Sequence, residues 1–336
     1  MGTTSLNWAI LATGRIARAF ADGVNKSETG RLVAVGSRSY ESATLFAQEF
    51  GGKPYGSYTE ALADPDVQAV YIATPHHLHA DLTVEAAQAG KHVLVEKPCA
   101  LNHADAARAV AACQENDVLF CEAFMYRLQP QMVELVRQVR EGVIGTIRHI
   151  QVDFGFAASR DWKDSRTVLE YGAGGLMDVG CYCISFAQSV LGETASRSEY
   201  AFERCGEGYD GVGTGILQFA SGATANFGTG IHINLRNQAT IYGDLGHITV
   251  EEPWFCNGKF TIHLSGQDPQ EVVVPALGLY ANEADVFAAG VEGRVVPHWT
   301  HENSLANLAT MDALRLSGGL RFGAHDPLFA AQGGAK

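Results

Sequence analysis

The stretch Asn7-Trp8-Ala9-Ile10-Leu11-Ala12-Thr13-Gly14-Arg15-Ile16-Ala17 decides the fold class. An apolar run, Asn7–Ala12, reads as a buried strand, and Ile16–Val24 reads as a helix. Between them lies A-x-G-x-x-A, a relaxed form of the G-x-G-x-x-G turn that brings a pyrophosphate to a helix N-terminus. The middle glycine, Gly14, matters most, because a Cβ there would obstruct the approach of phosphate to the helix. Ala17 is small enough for close helix–strand packing. Ala12 stands where glycine is usual, so the turn is expected to manage without a positive φ at that position.

From this turn the pattern extends downstream. Leu32–Ser37 reads as a second strand, and Ser42–Phe50 as a helix with Ser42 as its cap. Val70–Thr74 is a third strand, Leu78–Gln88 a helix stopped by Gly90, His92–Val95 a fourth strand, Asn102–Glu115 a helix and Leu119–Ala123 a fifth strand. Strand–helix alternation of this kind implies right-handed crossovers and a parallel sheet. After Arg148 the character changes. Ile150–Phe156 reads as a strand and Gly174–Leu191 as a helix. Strands follow over Gly215–Phe219, Ala223–Thr229, Gln238–Tyr242, His247–Glu251, Lys259–Leu264 and Glu271–Val274. Ser221-Gly222 and Gly266-Gln267 look like hairpin turns. The expected class is therefore α/β plus α+β: a Rossmann dinucleotide-binding domain over 1–123, then a domain over 124–336 with a large, mostly antiparallel, open-faced sheet. Two helical patterns close the chain, Asn282–Val291 and Glu302–Ser317, and the last is expected to pack back on the first domain. The only low-complexity stretch is the Ala/Gly-rich tail after Phe329.

Bulk properties narrow the functional classes. The 336 residues suit two domains, and 46% hydrophobic with 18% charged is an ordinary globular composition. A net charge of −13 argues against nucleic acid or an anionic membrane as the main partner. It leaves room for an anionic cofactor, which needs only a helix N-terminus and one or two arginines. No apolar run reaches a membrane span, and Met1–Asn7 has no secretory character. Seven cysteines at irregular spacing, with no CxxC pair, read as thiols in a reducing compartment, hence cytoplasm.

The end of the second strand reads Val35-Gly36-Ser37-Arg38-Ser39, with no acid until Glu41. Ser37 can donate to a ribose 2′-phosphate, and Arg38 can pair with it and stack on adenine, which favours NADP over NAD. Glu96-Lys97-Pro98 ends the fourth strand, at the carboxyl edge where ligands bind in open parallel sheets. A Lys-Pro bond can be cis, which would fix the lysine's direction. Lys97 could then hydrogen-bond a substrate oxygen and lower a neighbouring phenol's pKa. Within Gly174–Ile184, Asp178 and Tyr182 are i and i+4, so they share a helix face. With Lys97 they would make a proton-handling triad. Spacing alone favours a plainer reading, a core Tyr182 whose hydroxyl Asp178 satisfies. His76, His77 and His79 lack a carboxylate or cysteine partner at zinc spacing, so no metal is expected.

Thr74-Pro75 with His79, then Glu96-Lys97-Pro98, then Glu122-Ala123-Phe124-Met125-Tyr126-Arg127, then Asp178-x-Gly180-x-Tyr182 occur in that order. On this ordered set the chain resembles the glucose–fructose oxidoreductase / inositol dehydrogenase family from Trp8 to about Phe322. Arg127 with Pro130, the Asp178–Tyr182 segment and Trp254 point to its dimeric dihydrodiol dehydrogenase and NADP-dependent D-xylose dehydrogenase branch.

The resemblance implies that Lys97 is the catalytic lysine, that Asp178 binds substrate and that Tyr182 is the acid/base. It places Ala12, Thr13, Gly14, Arg15, Ile16, Ser37, Arg38, Thr74, Pro75, His79, Glu96, Lys97 and Arg127 around the cofactor. Phe154, Phe156, Trp162 and Trp254 would be pocket aromatics. The implied activity is hydride transfer between NADP and a CH–OH group of a sugar, cyclic polyol or dihydrodiol. Reduction of a sugar ketone such as 1,5-anhydrofructose is the enzymatic alternative, and a cofactor-sensing regulator the non-catalytic one. A homodimer or homotetramer through the second domain's sheet is expected by the same analogy.

Overall fold

The computed structural model describes residues 5–294 and 300–334. Met1–Thr4 of the amino-terminal stretch and the last two residues of the Ala/Gly-rich tail lie outside them. The chain forms two compact units. The first is Met1–Ala100, Ala104–Gln129 and Leu277–Ser304, and the second Leu101–His103, Pro130–Ala276 and Leu305–Lys336.

In the first unit, β1 (Leu6–Leu11), α1 (Arg15–Lys26), β2 (Gly30–Gly36), α2 (Tyr40–Phe50), β3 (Lys53–Tyr55), α3 (Tyr58–Leu62), β4 (Ala69–Ile72), α4 (His79–Gln88), β5 (His92–Glu96), α5 (His103–Glu115) and β6 (Phe120–Ala123) alternate along the chain. The sheet is parallel throughout, in the order β3-β2-β1-β4-β5-β6. That order reverses direction between β1 and β4, which opens a crevice at the carboxyl ends of the strands. The central strands are covered on both faces, so β4 is buried along its whole length and reads as an unbroken apolar run; the edge strand β6 is buried as well, although Glu122 interrupts its run. Two elements escape the sequence pattern. β3 is only three residues long and contains Pro54, tolerable because it lies at the sheet edge. α3 is a five-residue helix capped by Ser57. The cap of α2 is Ser39, whose side chain accepts from the Ser42 amide, so the helix begins at Tyr40 and Ser42 lies inside it.

The core of this unit is aromatic. Phe20 of α1 stacks on Tyr71 with ring centroids 3.7 Å apart, and Trp8 meets Phe20 at 5.2 Å. Trp8 also meets Phe287 at 4.9 Å, from the later helix α8 (Leu279–Val291). Each such side chain contributes about 1.5–3 kcal/mol on burial. The helix that returns to the first unit is therefore α8, not the last one. Its Ala284, Phe287 and Ala288 complete the apolar cluster around Trp8, while α9 (His301–Gly318) belongs to the second unit from residue 305 onward. Asp285 fixes the return by accepting from the amides of Glu28 and Thr29 and from the Thr29 hydroxyl at 2.6–3.1 Å.

The second unit contains α6 (Pro130–Arg140), β7 (Ile147–Gly155), α7 (Cys181–Leu191), β8 (Arg197–Cys205), β9 (Tyr209–Gln218), β10 (Thr224–Gly230), β11 (Gln238–Gly243), β12 (Gly246–Glu251), β13 (Lys259–Leu264) and β14 (Gln270–Val273). Its eight strands run β14-β13-β12-β11-β7-β10-β9-β8, all antiparallel except the β7–β10 pair. The turns between β9 and β10 and between β13 and β14 hold Gly222 and Gly266 at positive φ, as hairpins need. β8 is an addition to the sequence reading. It is an edge strand with four charged residues and mostly exposed positions, so it lacks the apolar alternation that marks a half-buried strand.

Candidate active site

In the first unit, the turn after β1 leads into α1 at Gly14. Gly14 is extended (φ −71°), so it is not chosen for an unusual backbone. A Cβ added there would meet nothing within 4 Å. The space in front of the helix is one that a side chain would fill, and no side chain caps α1. Unclaimed amides of a first helical turn form an anion site. Ala12, by contrast, has φ +93°. The expectation of an ordinary backbone there is overturned: the turn keeps the glycine-type conformation although alanine occupies it. The Ala12 amide donates to the Gly36 carbonyl at 2.9 Å, tying this turn to the end of β2. Thr13, Arg15 and Ile16 flank Gly14 at the helix start.

At the end of β2, Ser37 is buried, while Arg38 is exposed. Arg38 reaches the Tyr58 phenol, which burial pushes up and the guanidinium draws down. Burial and the same guanidinium both push the His77 imidazole down. A fixed cation beside a small hydroxyl fits a ribose 2′-phosphate. These observations accommodate a nicotinamide dinucleotide in the first unit.

The Lys97–Pro98 peptide is cis. Its surroundings are held from two sides. His79 is fully buried, with Nδ1 2.8 Å from the Pro98 carbonyl and Nε2 2.7 Å from the Thr74 carbonyl. Burial pushes this imidazole down to about 4, so near neutral pH the ring is neutral and donates to one of the two. His79 thus clasps the loop after β4, which carries Thr74-Pro75, to the loop after β5. Glu96 accepts from the Tyr71 hydroxyl and from the Lys97 amide. Glu122 takes the Cys99 amide at 2.9 Å. Arg127 is buried, 4.6 Å from the Phe124 ring centroid, with its charge facing Glu122.

In the second unit, Asp178 and Tyr182 sit on consecutive but different helical turns. Leu176–Gly180 is a π-helical turn that runs into α7. The sequence reading took one continuous α-helix; the wider turn accommodates a crowded entry. Gly174 has φ +108°, and a Cβ there would strike the Asp210 carboxylate. Thr229 donates to the Gly175 carbonyl at 2.8 Å. Asp210 accepts from the Leu176 amide and from the Tyr200 hydroxyl, each at 2.6 Å.

Tyr182 is packed edge-on against Phe154 (5.2 Å) and Trp254 (5.4 Å), which stack on each other at 5.1 Å. Trp254 has no exposed surface, so it backs the phenol rather than lining open space. Phe156 and Trp162 form a separate edge-on pair at 6.1 Å. Among the predicted residues the structure thus brings Phe154, Trp254 and Tyr182 together. Lys97 belongs to the first unit, and Asp178 and Tyr182 to the second.

Three groups escaped sequence reasoning. Arg166 lies 3.4 Å from Asp178 and its guanidinium carbon is 4.3 Å from the Trp162 ring. Asp210 underpins the helix entry. Glu283 of α8 is fully buried with no hydrogen-bond partner on either carboxylate oxygen among the described residues, and burial and Glu96 push it upward. A carboxylate amid the apolar pattern of α8 was the visible signal for the last. For Arg166 it was Asp164-Ser165-Arg166-Thr167, a capping-box sequence in a loop.

Comparison with known proteins places this arrangement. Residues 6–124 match the family model described as the oxidoreductase family with NAD-binding Rossmann fold, and residues 132–249 match the GFO/IDH/MocA C-terminal domain. Trans-1,2-dihydrobenzene-1,2-diol dehydrogenase of Mus musculus is 34% identical over 259 residues, 74% of this chain and 76% of that one. An NADP(+) D-xylose 1-dehydrogenase of Haloferax volcanii is 30% identical over 285 residues, 84% of this chain and 87% of that one. The crystal structure of a 3-ketoreductase from Actinomadura kijaniata with NADP and TDP-benzene superposes with a TM-score of 0.85 at 28% identity, covering 94% of this chain and 98% of that one. The chain belongs to the GFO/IDH/MocA family of oxidoreductases.

Proposed function

We propose that this oxidoreductase uses NADP to exchange a hydride with a CH–OH group of a sugar, cyclic polyol or dihydrodiol. The observation that carries the reading is the mount of Asp178 and Tyr182. A carboxylate on a π-helical turn and a phenol packed edge-on against the stacked Phe154–Trp254 pair are side chains of fixed direction, and π-helical turns are frequent at functional sites. Relatives named as dihydrodiol and NADP(+) D-xylose dehydrogenases support the same class.

NADP supplies the hydride acceptor when bound. It would lie on the Ala12–Ile16 turn with its 2′-phosphate on Ser37 and Arg38, and Thr74, Pro75, His79, Glu96 and Arg127 would shape the adjoining walls. In this reading Tyr182 accepts the hydroxyl proton as the C–H bond gives up its electron pair. Lys97 hydrogen-bonds the same oxygen and stabilises the phenolate by charge. Asp178 orients the ring through neighbouring hydroxyls. Phe154, Phe156 and Trp162 would give the substrate side an apolar surface suited to a sugar face, with Trp254 buried behind Phe154 and Tyr182. Residues 1–123 serve the cofactor and 124–336 the substrate. A cytoplasmic homo-oligomer through the eight-stranded sheet completes the reading.

The test is turnover of a panel of aldoses, cyclic polyols and dihydrodiols with NADP, followed by nicotinamide absorbance. Tyr182→Phe is expected to lose at least about a hundredfold in kcat while binding NADPH like the parent, and Lys97→Ala to lose at least as much in kcat. Tight NADPH binding with no turnover on any substrate would favour a cofactor-sensing regulator instead.

A further inference from the structure

We propose that Arg166 is the positioning residue for Asp178, and so a determinant of substrate specificity; this rests on the reading of Asp178 as the substrate-orienting carboxylate.

Arg166 lies in the 3₁₀ turn Ser165–Thr167, whose backbone is closed by a reciprocal box. The Asp164 carboxylate accepts from the Arg166 amide at 3.1 Å, and the Asp164 amide donates to the Thr167 hydroxyl at 3.2 Å. The same carboxylate grips the guanidinium twice, from Nε at 2.8 Å and Nη2 at 3.2 Å. The face of the guanidinium lies on the Trp162 ring. These contacts fix the long side chain in one conformation, and Nη1 is thereby directed at Asp178 Oδ2, 3.4 Å away.

The arrangement is more than loop stabilisation. Asp164 alone would satisfy one edge of the fork. The third donor instead reaches a carboxylate twelve residues later, on the turn that carries the proposed chemistry. The Asp178 side chain is 9% exposed and that of Arg166 21%. The guanidinium brings both a charge and a directed donor to this enclosed carboxylate. Lysine supplies the first but not the second, because an ammonium is a point charge without a fork.

Two measurements test this on the whole protein. Arg166→Gln is expected to raise KM for the polyol by at least about tenfold with a smaller loss in kcat. It should also move the acid limb of kcat/KM up by about one pH unit. Arg166→Lys should restore the limb but not the KM. NADPH affinity should stay at the parent value in both. Unchanged KM and pH limb in Arg166→Gln, or losses matched by lower melting temperature and NADPH affinity, would overturn the proposal. The second readout needs no turnover: ¹³C NMR of the Asp178 carboxyl, assigned through Asp178→Asn. Its titration midpoint should rise when Arg166 becomes glutamine or, if that variant does not fold, alanine with guanidinium added back to reverse the rise. An unmoved midpoint overturns the role of Arg166 even if the enzyme is active. A moved midpoint in a protein without polyol turnover upholds the contact and rejects the functional reading.

Discussion

Replacing Asp210 by asparagine should change the pH dependence of stability more than stability itself. Asp210 is fully buried, and burial, only partly offset by the Tyr200 hydroxyl and the Leu176 amide, raises its pKa from 3.8 to about 7. The native state therefore holds a proton that the unfolded chain releases between those two values. Stability from this group is fully present below pH 3.8 and is lost as pH climbs through about 7. At about 1.4 kcal/mol per pH unit the loss approaches about 4 kcal/mol. Below this window the protonated acid and the amide are near equivalents. Each presents one oxygen to Leu176 and Tyr200 and one donor to the position of Oδ1, which has no hydrogen-bond partner among the described residues. Urea unfolding from about pH 4.5 to 8.5 should find Asp210→Asn within about 1 kcal/mol of the parent at the acid end. It should be more stable by about 2–4 kcal/mol at the alkaline end, flattening above about pH 7.5. Parallel curves across the whole range would refute the reasoning, because they would mean that Asp210 carries its charge in the native state without penalty.

Other consequences are separate and equally direct. Ala12→Gly should stabilise the protein by about 0.5–1 kcal/mol, since glycine relieves the φ of +93° at a smaller entropic cost; a loss of stability in the same urea assay would contradict it. Asp285→Ala should cost about 2–3 kcal/mol, because it strips three donors of Glu28 and Thr29 of their acceptor, and a cost below about 0.5 kcal/mol would show that water replaces it. Arg38→Gln should weaken NADPH about ten- to a hundredfold and leave NADH unchanged. Equal losses for both cofactors, measured by fluorescence titration, would remove Arg38 from the 2′-phosphate site.

What could be read from the sequence follows from which residues face apolar surroundings. The parallel strand β4 is buried on both faces, so Val70–Thr74 stood out as an apolar run, and Leu119–Ala123 was legible as a strand despite Glu122 within it. The A-x-G-x-x-A turn was legible because its position between strand and helix is a local property. The return of α8 was not. The stripe of Ala284, Phe287 and Ala288 declares a buried face but not which surface covers it.

Asp210 was hidden by register. Counting back from the inward-facing Leu217, Gly215 and Gly213, residue 210 falls on the outward side of β9. The ladder slips at Gly211, pairing Val212 with Glu203 and Asp210 with Arg204, and the slip turns the carboxylate inward to Tyr200. The proposed site was stated from the sequence as a set of residue types, Lys97, Asp178 and Tyr182. The contacts that fix directions were not, because Arg166 reaches Asp164 and Asp178 through an irregular loop and His79, named by the resemblance, acts on backbone carbonyls, and neither leaves a periodic trace.

The most direct measurement of the central claim is titration of the purified protein with NADPH and with NADH, followed by nicotinamide fluorescence. The account predicts saturable binding of both at one site per chain, with NADPH at least about tenfold tighter, equivalent to about 1.4 kcal/mol or more from the 2′-phosphate. Binding of neither would contradict the reading of Gly14 and the α1 N-terminus. A preference for NADH would contradict the assignment of Ser37 and Arg38.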